Sequence, residues 1–404
     1  MPQWSRRTIL QRGCIGTAAL AGCLAFNNPP PDDSDCLDGR TVYEFDANLS
    51  ASASWPMYHY DAANTGYNPD ATGPTTSPEV AWRYSTCEPA DGAVIVADGR
   101  VLTDGRTYDG RTGDRFGAIW SGRGHTGAAA GDTLFVSDRD LHARNLDTHA
   151  RRWTFETDGS MDVLGPPTVA GGTVFVPGTL QDPTLYAVDA SEGTERWRFG
   201  TDSRLSRPPA VSDGVAFIAD RTPRIYAVSS DTGERRWTQT LDESVWQSAP
   251  TVENGTVYLG SWEESVIALD AADGTEQWRT DVGYGIRSSL AVTPDVVFAA
   301  GTGGWVSALD AADGTIIWQT QANNYELHSP VVTDETVFAG AFSGGTNVCA
   351  LTASDGTERW QFETAEQILG DTFGRGIHAT PAVVDDVLFV STGGGDVYAL
   401  AGDA

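Results

Sequence analysis

The stretch Ala249–Trp278 reads APTVENGTVYLGSWEESVIALDAADGTEQW and contains one complete repeating unit of this 404-residue chain. Asn254-Gly255 is a tight-hairpin signal, because both residues tolerate a positive φ. The β-branched and aromatic residues that flank it predict strands, and Asp273-Gly274 predicts a second turn. Together these signals predict one antiparallel sheet of four strands. The predicted strands are Thr251–Glu253, Thr256–Gly260, Ser265–Asp270 and Glu276–Thr280.

A tryptophan lies in the fourth strand of successive copies of this unit, at intervals of 40–44 residues. A period near 40 residues with four short strands per copy is typical of a β-propeller. We expect each indole to fill the gap between neighbouring blades, where an isolated sheet could not bury it. The tryptophans in these positions are Trp153, Trp197, Trp237, Trp278, Trp318 and Trp360.

Eight copies can be counted. The last copy has no tryptophan strand, but Glu79–Tyr84, with Trp82, supplies one near the start of the chain. Pairing this strand with the last blade closes the ring and removes the exposed sheet edges. One early copy is eroded, because Gly117 stands where tryptophan is expected. First strands are predicted to begin near Val94, Ala128, Pro167, Pro209, Pro250, Leu290, Pro330 and Pro381.

The recurring phrase P-x-V-x-x-G-x-V-[FY]…[YV]-A-[LV]-D-A-x-x-G-x-x-x-W resembles the tryptophan-docking repeat of the quinoprotein propellers. That superfamily contains dehydrogenases dependent on pyrroloquinoline quinone (PQQ). It also contains non-enzymatic propellers, such as the lipoprotein of the outer-membrane β-barrel assembly machine. The segment Trp55–Tyr67 resembles the opening of many of these propellers, so the resemblance covers residues 55–404. It implies an all-β, eight-bladed propeller and leaves the function open.

The chain is strongly acidic: 55 Asp and Glu stand against 26 basic residues, all of them Arg, for a net charge of −29. A lysine-free, Asp-rich surface indicates a protein of an extreme halophile, because concentrated salt screens its self-repulsion. The alternative is an acidic surface aimed at a cationic partner. Nucleic-acid binding is excluded, since it needs a basic stripe.

Residues 1–22 are predicted to be a twin-arginine signal peptide, with Arg6-Arg7 followed by a short apolar run. Leu20–Cys23 resembles a lipobox, so we expect cleavage and lipidation at Cys23; an ordinary signal peptide is the alternative. Residues 23–54 are predicted to be a Pro- and Asp-rich tether, and residues 55–404 the propeller. These features predict export and a lipid anchor on the outer face of the cytoplasmic membrane.

The remaining cysteines suggest one bridge. Cys36 and Cys87 lie in the irregular N-terminal part of an exported protein, where a disulfide persists, and we expect them to pair. Cys349 occupies a third-strand position that is tyrosine in other copies, so it is expected to be a buried apolar residue.

Loops that enter the first strands converge on the central channel of a propeller, and their residues vary between copies while the Val, Gly and Trp positions do not. Their Arg and His content predicts an anionic or hydrogen-bond-rich ligand at the channel mouth. The alternative is that these side chains only line a wet channel. No metal site is expected, since the His residues come from different blades without paired carboxylates. The predicted mouth residues are His125, Arg207, Trp246, Gln247, Arg287, His328, Arg375 and His378.

These features predict a monomeric, membrane-anchored scaffold that binds a protein or a small ligand, with no cofactor expected. The first alternative is a PQQ-dependent dehydrogenase with calcium, a cofactor pair that the resemblance implies. Against it, the chain has no two adjacent cysteines, which many of those enzymes carry. The second alternative is a structural surface lipoprotein without a discrete ligand.

Overall fold

The computed structural model describes residues 41–42, 47, 49–50, 53–86, 92–119, 127–157, 165–178, 183–205, 207–341, 348–364, 376–377 and 379–402. In these residues 33 strands form eight antiparallel sheets, and the one helical element is a single 3-10 turn at Thr302–Gly304. No helix of the described segments has the length and hydrophobicity needed to cross a bilayer. The predicted eight-bladed β-propeller is thereby confirmed.

Each blade is one sheet, and each first strand begins within one residue of its predicted position. The strands of blades 1 to 4 are β3 (Ile95–Ala97), β4 (Arg100–Thr103), β5 (Arg106–Asp109) and β6 (Arg115–Ala118); β7 (Gly127–Ala130), β8 (Thr133–Ser137), β9 (Leu141–Asn145) and β10 (Arg151–Phe155); β11 (Thr168–Ala170), β12 (Thr173–Pro177), β13 (Thr184–Asp189) and β14 (Glu195–Gly200); β15 (Ala210–Ser212), β16 (Val215–Ala219), β17 (Arg224–Ser229) and β18 (Arg235–Thr240). Those of blades 5 to 8 are β19 (Thr251–Glu253), β20 (Thr256–Gly260), β21 (Ser265–Asp270) and β22 (Glu276–Asp281); β23 (Ala291–Val292), β24 (Val296–Ala300), β25 (Trp305–Asp310) and β26 (Ile316–Gln321); β27 (Val331–Val332), β28 (Thr336–Gly340), β29 (Val348–Thr352) and β30 (Glu358–Phe362); β31 (Ala382–Val384), β32 (Val387–Ser391), β33 (Asp396–Ala401), β2 (Glu79–Ser85) and β1 (Thr41–Val42).

The ring closes through blade 8, where β2 pairs antiparallel with β33 as the sequence predicts. A fifth strand, β1, then pairs with the outer edge of β2. Leu49, a few residues on, is 1% exposed in the core between blades 8 and 1. The predicted tether of residues 23–54 therefore needs correction at its C-terminal end, because a free sheet edge and an apolar cleft both draw that part of the chain onto the propeller.

Six of the seven docking tryptophans contact the turn between the third and fourth strands of the next blade, whereas Trp360 donates to the Pro74 carbonyl at 2.8 Å. In these six contacts the ring stacks on a glycine with φ of 69–77°, where an added Cβ would lie 2.4–2.7 Å from a ring atom. The indole N–H donates to a backbone carbonyl near that turn at 2.8–3.1 Å. Only glycine combines this positive φ with so close an approach. The pairs are Trp82–Gly113, Trp153–Gly193, Trp197–Gly233, Trp237–Gly274, Trp278–Gly314 and Trp318–Gly356.

The eroded copy exchanges the two partners of this contact. Gly117 stands at the tryptophan position of blade 1, and His149 stands at the glycine position of blade 2 with φ of 56°. The His149 ring lies 3.7 Å from where a Cβ of Gly117 would be, and its Nε2 is 3.2 Å from Thr107 Oγ1. A side chain from the turn thus takes the space of the missing indole.

Residues 53–73 form a belt around the axis of the ring, here named the axial belt. In six of the eight first strands one residue donates its backbone N–H to a carbonyl of the belt at 2.6–2.9 Å. The accepting carbonyls follow the order of the blades, so the belt circles the axis once. The donor–acceptor pairs are Val96–Trp55, Ala129–Pro56, Val211–Ala62, Val252–Ala63, Val292–Thr65 and Val332–Gly66.

The belt also reaches the two remaining blades. Met57 and Ala62 pack against the core of blade 3, and the Asn68 amide donates to the Val383 carbonyl of blade 8 at 2.9 Å. The polar edges of eight short sheets therefore do not line an open channel, because the chain itself pairs with them.

Candidate functional site

Two kinds of loop share one face of the disc, here called the upper face: those that join the second strand to the third, and those that join one blade to the next. Of the residues predicted at the channel mouth, Arg207, Trp246, Gln247, Arg287 and His328 lie in blade-joining loops of this face and are all partly buried. His125, Arg375 and His378 lie outside the described residues, as do Cys23, Cys36 and Cys87.

The first cluster of the upper face joins blades 4 and 5. The guanidinium of Arg221, in the loop between β16 and β17, lies 4.4 Å from the centre of the Trp246 ring. Its backbone is held in place because the N–H of Arg221 donates to the Arg204 carbonyl at 3.1 Å. Arg221 is exposed, so its charge is presented to solvent on an aromatic support. Such a pair contributes about 0.5–1 kcal/mol at an exposed site.

The second cluster joins blades 5 and 6. The guanidinium of Arg287 lies 3.7 Å from the centre of the Trp262 ring, and Trp262 is 43% exposed. Arg287 also faces Glu326 at 3.5 Å. The loops of the two clusters touch, because the N–H of Trp262 donates to the Ser244 carbonyl at 3.1 Å. The four side chains form one continuous arginine–aromatic patch: Arg221, Trp246, Trp262 and Arg287.

The centre of the ring is occupied by two side chains of the axial belt. Tyr58 stacks on His59 with ring centres 5.1 Å apart. The Tyr58 hydroxyl lies 2.8 Å from Ser289 Oγ and 3.3 Å from Ser329 Oγ, just before the first strands of blades 6 and 7. Tyr58 and His59 are both buried, and accessible polar and aromatic groups lie on the loops around them. The ligand site at the channel mouth stays a prediction.

His59 is fully buried, and its tautomer follows from its contacts. Nδ1 lies 3.1 Å from the Asn64 carbonyl; a carbonyl only accepts, so Nδ1 carries the proton. Nε2 finds no partner among the described residues. Burial lowers the pKa of His59 to about 4, with a small contribution from the charge of Arg207 and against the opposing effect of the Asn64 carbonyl. His59 is therefore neutral at pH 7.

We expect a His59→Asn variant to lose part of the acid sensitivity of the wild-type protein. The pKa of His59 is about 4 when folded and 6.5 ordinarily, so the unfolded chain binds a proton first as the pH falls. The resulting loss of stability begins below about pH 6.5, is complete near pH 4 and amounts to on the order of 3 kcal/mol. Asparagine suits the φ of 53° at this position.

Urea unfolding of both proteins at pH 7, 5.5 and 4 in constant salt measures this effect. The stability of the wild type relative to His59→Asn should decrease toward pH 4. A difference that stays the same at all three pH values would show that His59 does not titrate on unfolding.

A metal has one candidate site among the described residues. Asp138, Asp140 and His142 bring their ligand atoms within 4.8 Å of one another in and beside the loop between β8 and β9. His142 Nε2 already lies 3.3 Å from Asp138 Oδ1, which also accepts the N–H of Asp140. These groups satisfy one another, so the cluster is explained without an ion.

The comparison of repeat copies found only two of the four residues of the arginine–aromatic patch. That comparison selected Trp246 and Arg287, in the blade-joining loops. It did not select Arg221 and Trp262, because it covered only the loops that lead into the first strands. A signal was available, since both residues hold the second position of four-residue loops, 220–223 and 261–264, between the second and third strands of blades 4 and 5.

Sequence comparison decides the family. Residues 79–204, 181–285 and 262–403 match the family of the outer membrane protein assembly factor BamB. The chain belongs to this family. BamB of Yersinia pestis is 31% identical over 300 residues, which are 69% of this chain and 72% of that protein.

The chain is also similar to a protein kinase and to a dehydrogenase. A serine/threonine-protein kinase AfsK of Streptomyces coelicolor is 30% identical over 179 residues, which are 42% of this chain and 21% of the kinase. The chain thus spans about a fifth of that kinase. The crystal structure of quinohemoprotein alcohol dehydrogenase from Comamonas testosteroni superposes with a TM-score of 0.68 and 15% identity, covering 89% of this chain and 82% of the enzyme. That likeness shows the shared propeller fold.

Proposed function

We propose that this protein is a binding and assembly scaffold that docks a protein partner on its upper face. The arginine–aromatic patch is the observation that carries the proposal. Trp and Arg are the residue types most enriched at the energetic centres of protein interfaces. Here two of each type join three neighbouring blades on an exposed surface. The family supports the proposal, since its named members are assembly factors.

The chemistry of the patch indicates what the partner presents. Two guanidinium groups lie over indole rings, so each offers hydrogen-bond donors at its edge for a carboxylate. The exposed face of Trp262 offers an apolar surface beside them. A segment that combines Asp or Glu with a large apolar side chain fits both features. In the free protein Glu326 faces Arg287, so any ligand must compete with this carboxylate. A partner segment that also contacts Trp262 competes better than a bulk anion does.

The dehydrogenase alternative rests on fold likeness to the quinohemoprotein enzyme. The described residues do not fit a quinone held with calcium, because calcium takes six to eight oxygen ligands. The one described group of suitable residues belongs to the loop of blade 2 and satisfies itself. Tyr58 and His59 also fill the axis. We therefore derive no reaction step for this protein.

We propose in addition that the scaffold is held at the outer face of the cytoplasmic membrane through lipid on Cys23, after export by the twin-arginine route. The sequence of residues 5–23 carries this proposal. Such an anchor restricts the upper face to partners at the membrane surface.

Site-specific cross-linking tests the docking face. A photo-reactive phenylalanine analogue at position 262 should yield a cross-linked species of discrete mass in intact cells, and the same analogue at Phe116, which is 49% exposed on β6, should not. Arg221→Ala with Arg287→Ala should remove the adduct while lowering the melting temperature only slightly, since each arginine–indole pair contributes about 0.5–1 kcal/mol. In the same cells, Cys23→Ser should move the protein from the membrane to the soluble fraction.

Two outcomes would contradict the scaffold proposal. An adduct at position 116 as strong as that at 262 would remove the special role of the patch. No adduct at either position, with an unchanged protein profile around the Arg variant, would favour a structural surface protein. The membrane fraction reports the anchor separately, so the two proposals fail independently.

A further inference from the structure

The outermost strand of blade 6 differs from the outermost strands of the other blades. β26 reads IIWQTQ and contains no charged residue, whereas the fourth strand of each other blade carries at least one. Ile316 and Ile317 are 39% and 50% exposed. Charged side chains on an edge strand prevent it from pairing with another chain. Blade 6 lacks this protection.

The two positions before the docking tryptophan make the contrast sharp. They are Glu195-Arg196 in blade 3 and Glu358-Arg359 in blade 7, but Ile316-Ile317 in blade 6. The outer edge of β26 pairs with none of the described strands, since β26 ends its sheet. Ile316 and Ile317 are therefore exposed on a strand whose outer backbone N–H and C=O groups pair with none of the described strands.

Blade 8 shows what such an edge does in this protein. The fourth strand of this blade, β2, has Val80-Ala81 at the two positions before Trp82. A fifth strand, β1, pairs with the outer edge of this strand, with Val42 opposite Trp82 and Thr41 opposite Arg83. The chain thus already adds a strand to the one other blade whose two positions are both apolar.

We infer that the edge of β26 pairs with β26 of a second copy of this chain, forming a dimer across a two-fold axis. Charge selects this occupant. Each copy carries a net charge of −29, so two copies repel over most approaches. β26 is the only uncharged fourth strand among the described blades, and an uncharged apolar strand complements another of its kind. An antiparallel edge pairs with itself about a two-fold axis, which makes the contact isologous.

This inference does not depend on the arginine–aromatic patch, because β26 lies on the outer rim and the patch on the upper face. A single strand edge is small beside a standard interface, so the dimer should dissociate on dilution. High salt should strengthen it, because salt screens the repulsion between the two acidic copies. An interface made of opposite charges would weaken under the same change.

Sedimentation equilibrium of the purified chain, with reductant and at low and high salt, tests the inference. The wild-type mass should rise with concentration toward that of two chains, and more so at high salt. Ile316→Glu with Ile317→Arg should keep the mass of one chain. This variant restores the pair found in blades 3 and 7, so it should melt as the wild type does. Ile317→Arg alone is a milder second variant and should weaken the dimer.

Phe116→Arg is the matched control, because Phe116 holds the position of Ile317 in blade 1 and is 49% exposed. It should dimerise as the wild type does. A wild type that stays a single chain at every concentration would overturn the inference. So would a dimer that survives the double variant, or one that Phe116→Arg also abolishes.

Discussion

Deleting the axial belt, residues 53–73, is expected to abolish the stable ring. Ten backbone hydrogen bonds between the belt and the blades disappear, each contributing about 0.5–1.5 kcal/mol. The fully buried Trp55 leaves as well, and truncating a buried aromatic costs about 3–5 kcal/mol. The combined loss is on the order of 10 kcal/mol, which is comparable to the whole stability of an ordinary domain.

A short Gly-Ser linker can replace the belt, since its two ends contact the neighbouring blades 1 and 8. Circular dichroism and the melting transition in high salt measure the outcome. Asn68→Ala is the control: it removes the side-chain bond to Val383 and keeps the backbone bonds, so it should cost only about 1–3 kcal/mol. A deletion variant that melts like the wild type would show that the blades close without the belt.

Trp82→Ala is expected to cost about 3–5 kcal/mol of unfolding free energy. Trp82 is 1% exposed and donates to the Gly110 carbonyl at 2.8 Å. Its ring lies 6.2 Å from Tyr108 of blade 1 and 5.9 Å from Phe389 of blade 8. Removing it leaves a cavity where the two ends of the propeller meet, and the surrounding core relaxes only in part.

Trp237→Ala is the matched comparison for this position. Trp237 makes the same contact between blades 4 and 5 and donates to Ala271 at 2.9 Å, but it is partly exposed. Its loss should therefore cost less and should leave ring closure unaffected. Urea unfolding in constant salt measures both variants. An equal or larger loss of unfolding free energy for Trp237→Ala would show that Trp82 stabilises the closed ring no more than the other docking tryptophans do.

The repeat could be predicted closely because each of its signals acts within a few residues of chain. A hairpin such as Asn254-Gly255 and a turn such as Asp273-Gly274 set the strand ends by local backbone preference. The regularly spaced tryptophans each contact a glycine of the next copy. The spacing of these residues therefore predicts how neighbouring blades pack. Closure by Glu79–Tyr84 followed from the missing strand of the last copy. All of these predictions agree with the structure.

The candidate site was predicted only in part, because its pairs cross between loops. Trp246 and Arg287 could be selected from aligned copies, but their partners Arg221 and Trp262 lie in the loops between the second and third strands, which that comparison did not cover. The exchange between Gly117 and His149 also crosses a blade boundary, so the sequence showed only a missing tryptophan. No local preference brings such residues together. Their contact depends on the rotation between neighbouring blades.

Read alone, the sequence determined the number of blades, the strand bounds and the way the last blade is completed, because these depend on short-range turns and on a period that repeats along the chain. The tertiary structure decided that residues 53–73 fill the axis, that β1 extends blade 8, and that arginine and tryptophan side chains meet on the upper face. The physical reason is that the inward N–H groups of eight first strands become a single ring of unpaired donors only once the disc has closed. The axial belt, which accepts hydrogen bonds from six of these groups, is not a repeated segment, so the sequence does not indicate its role.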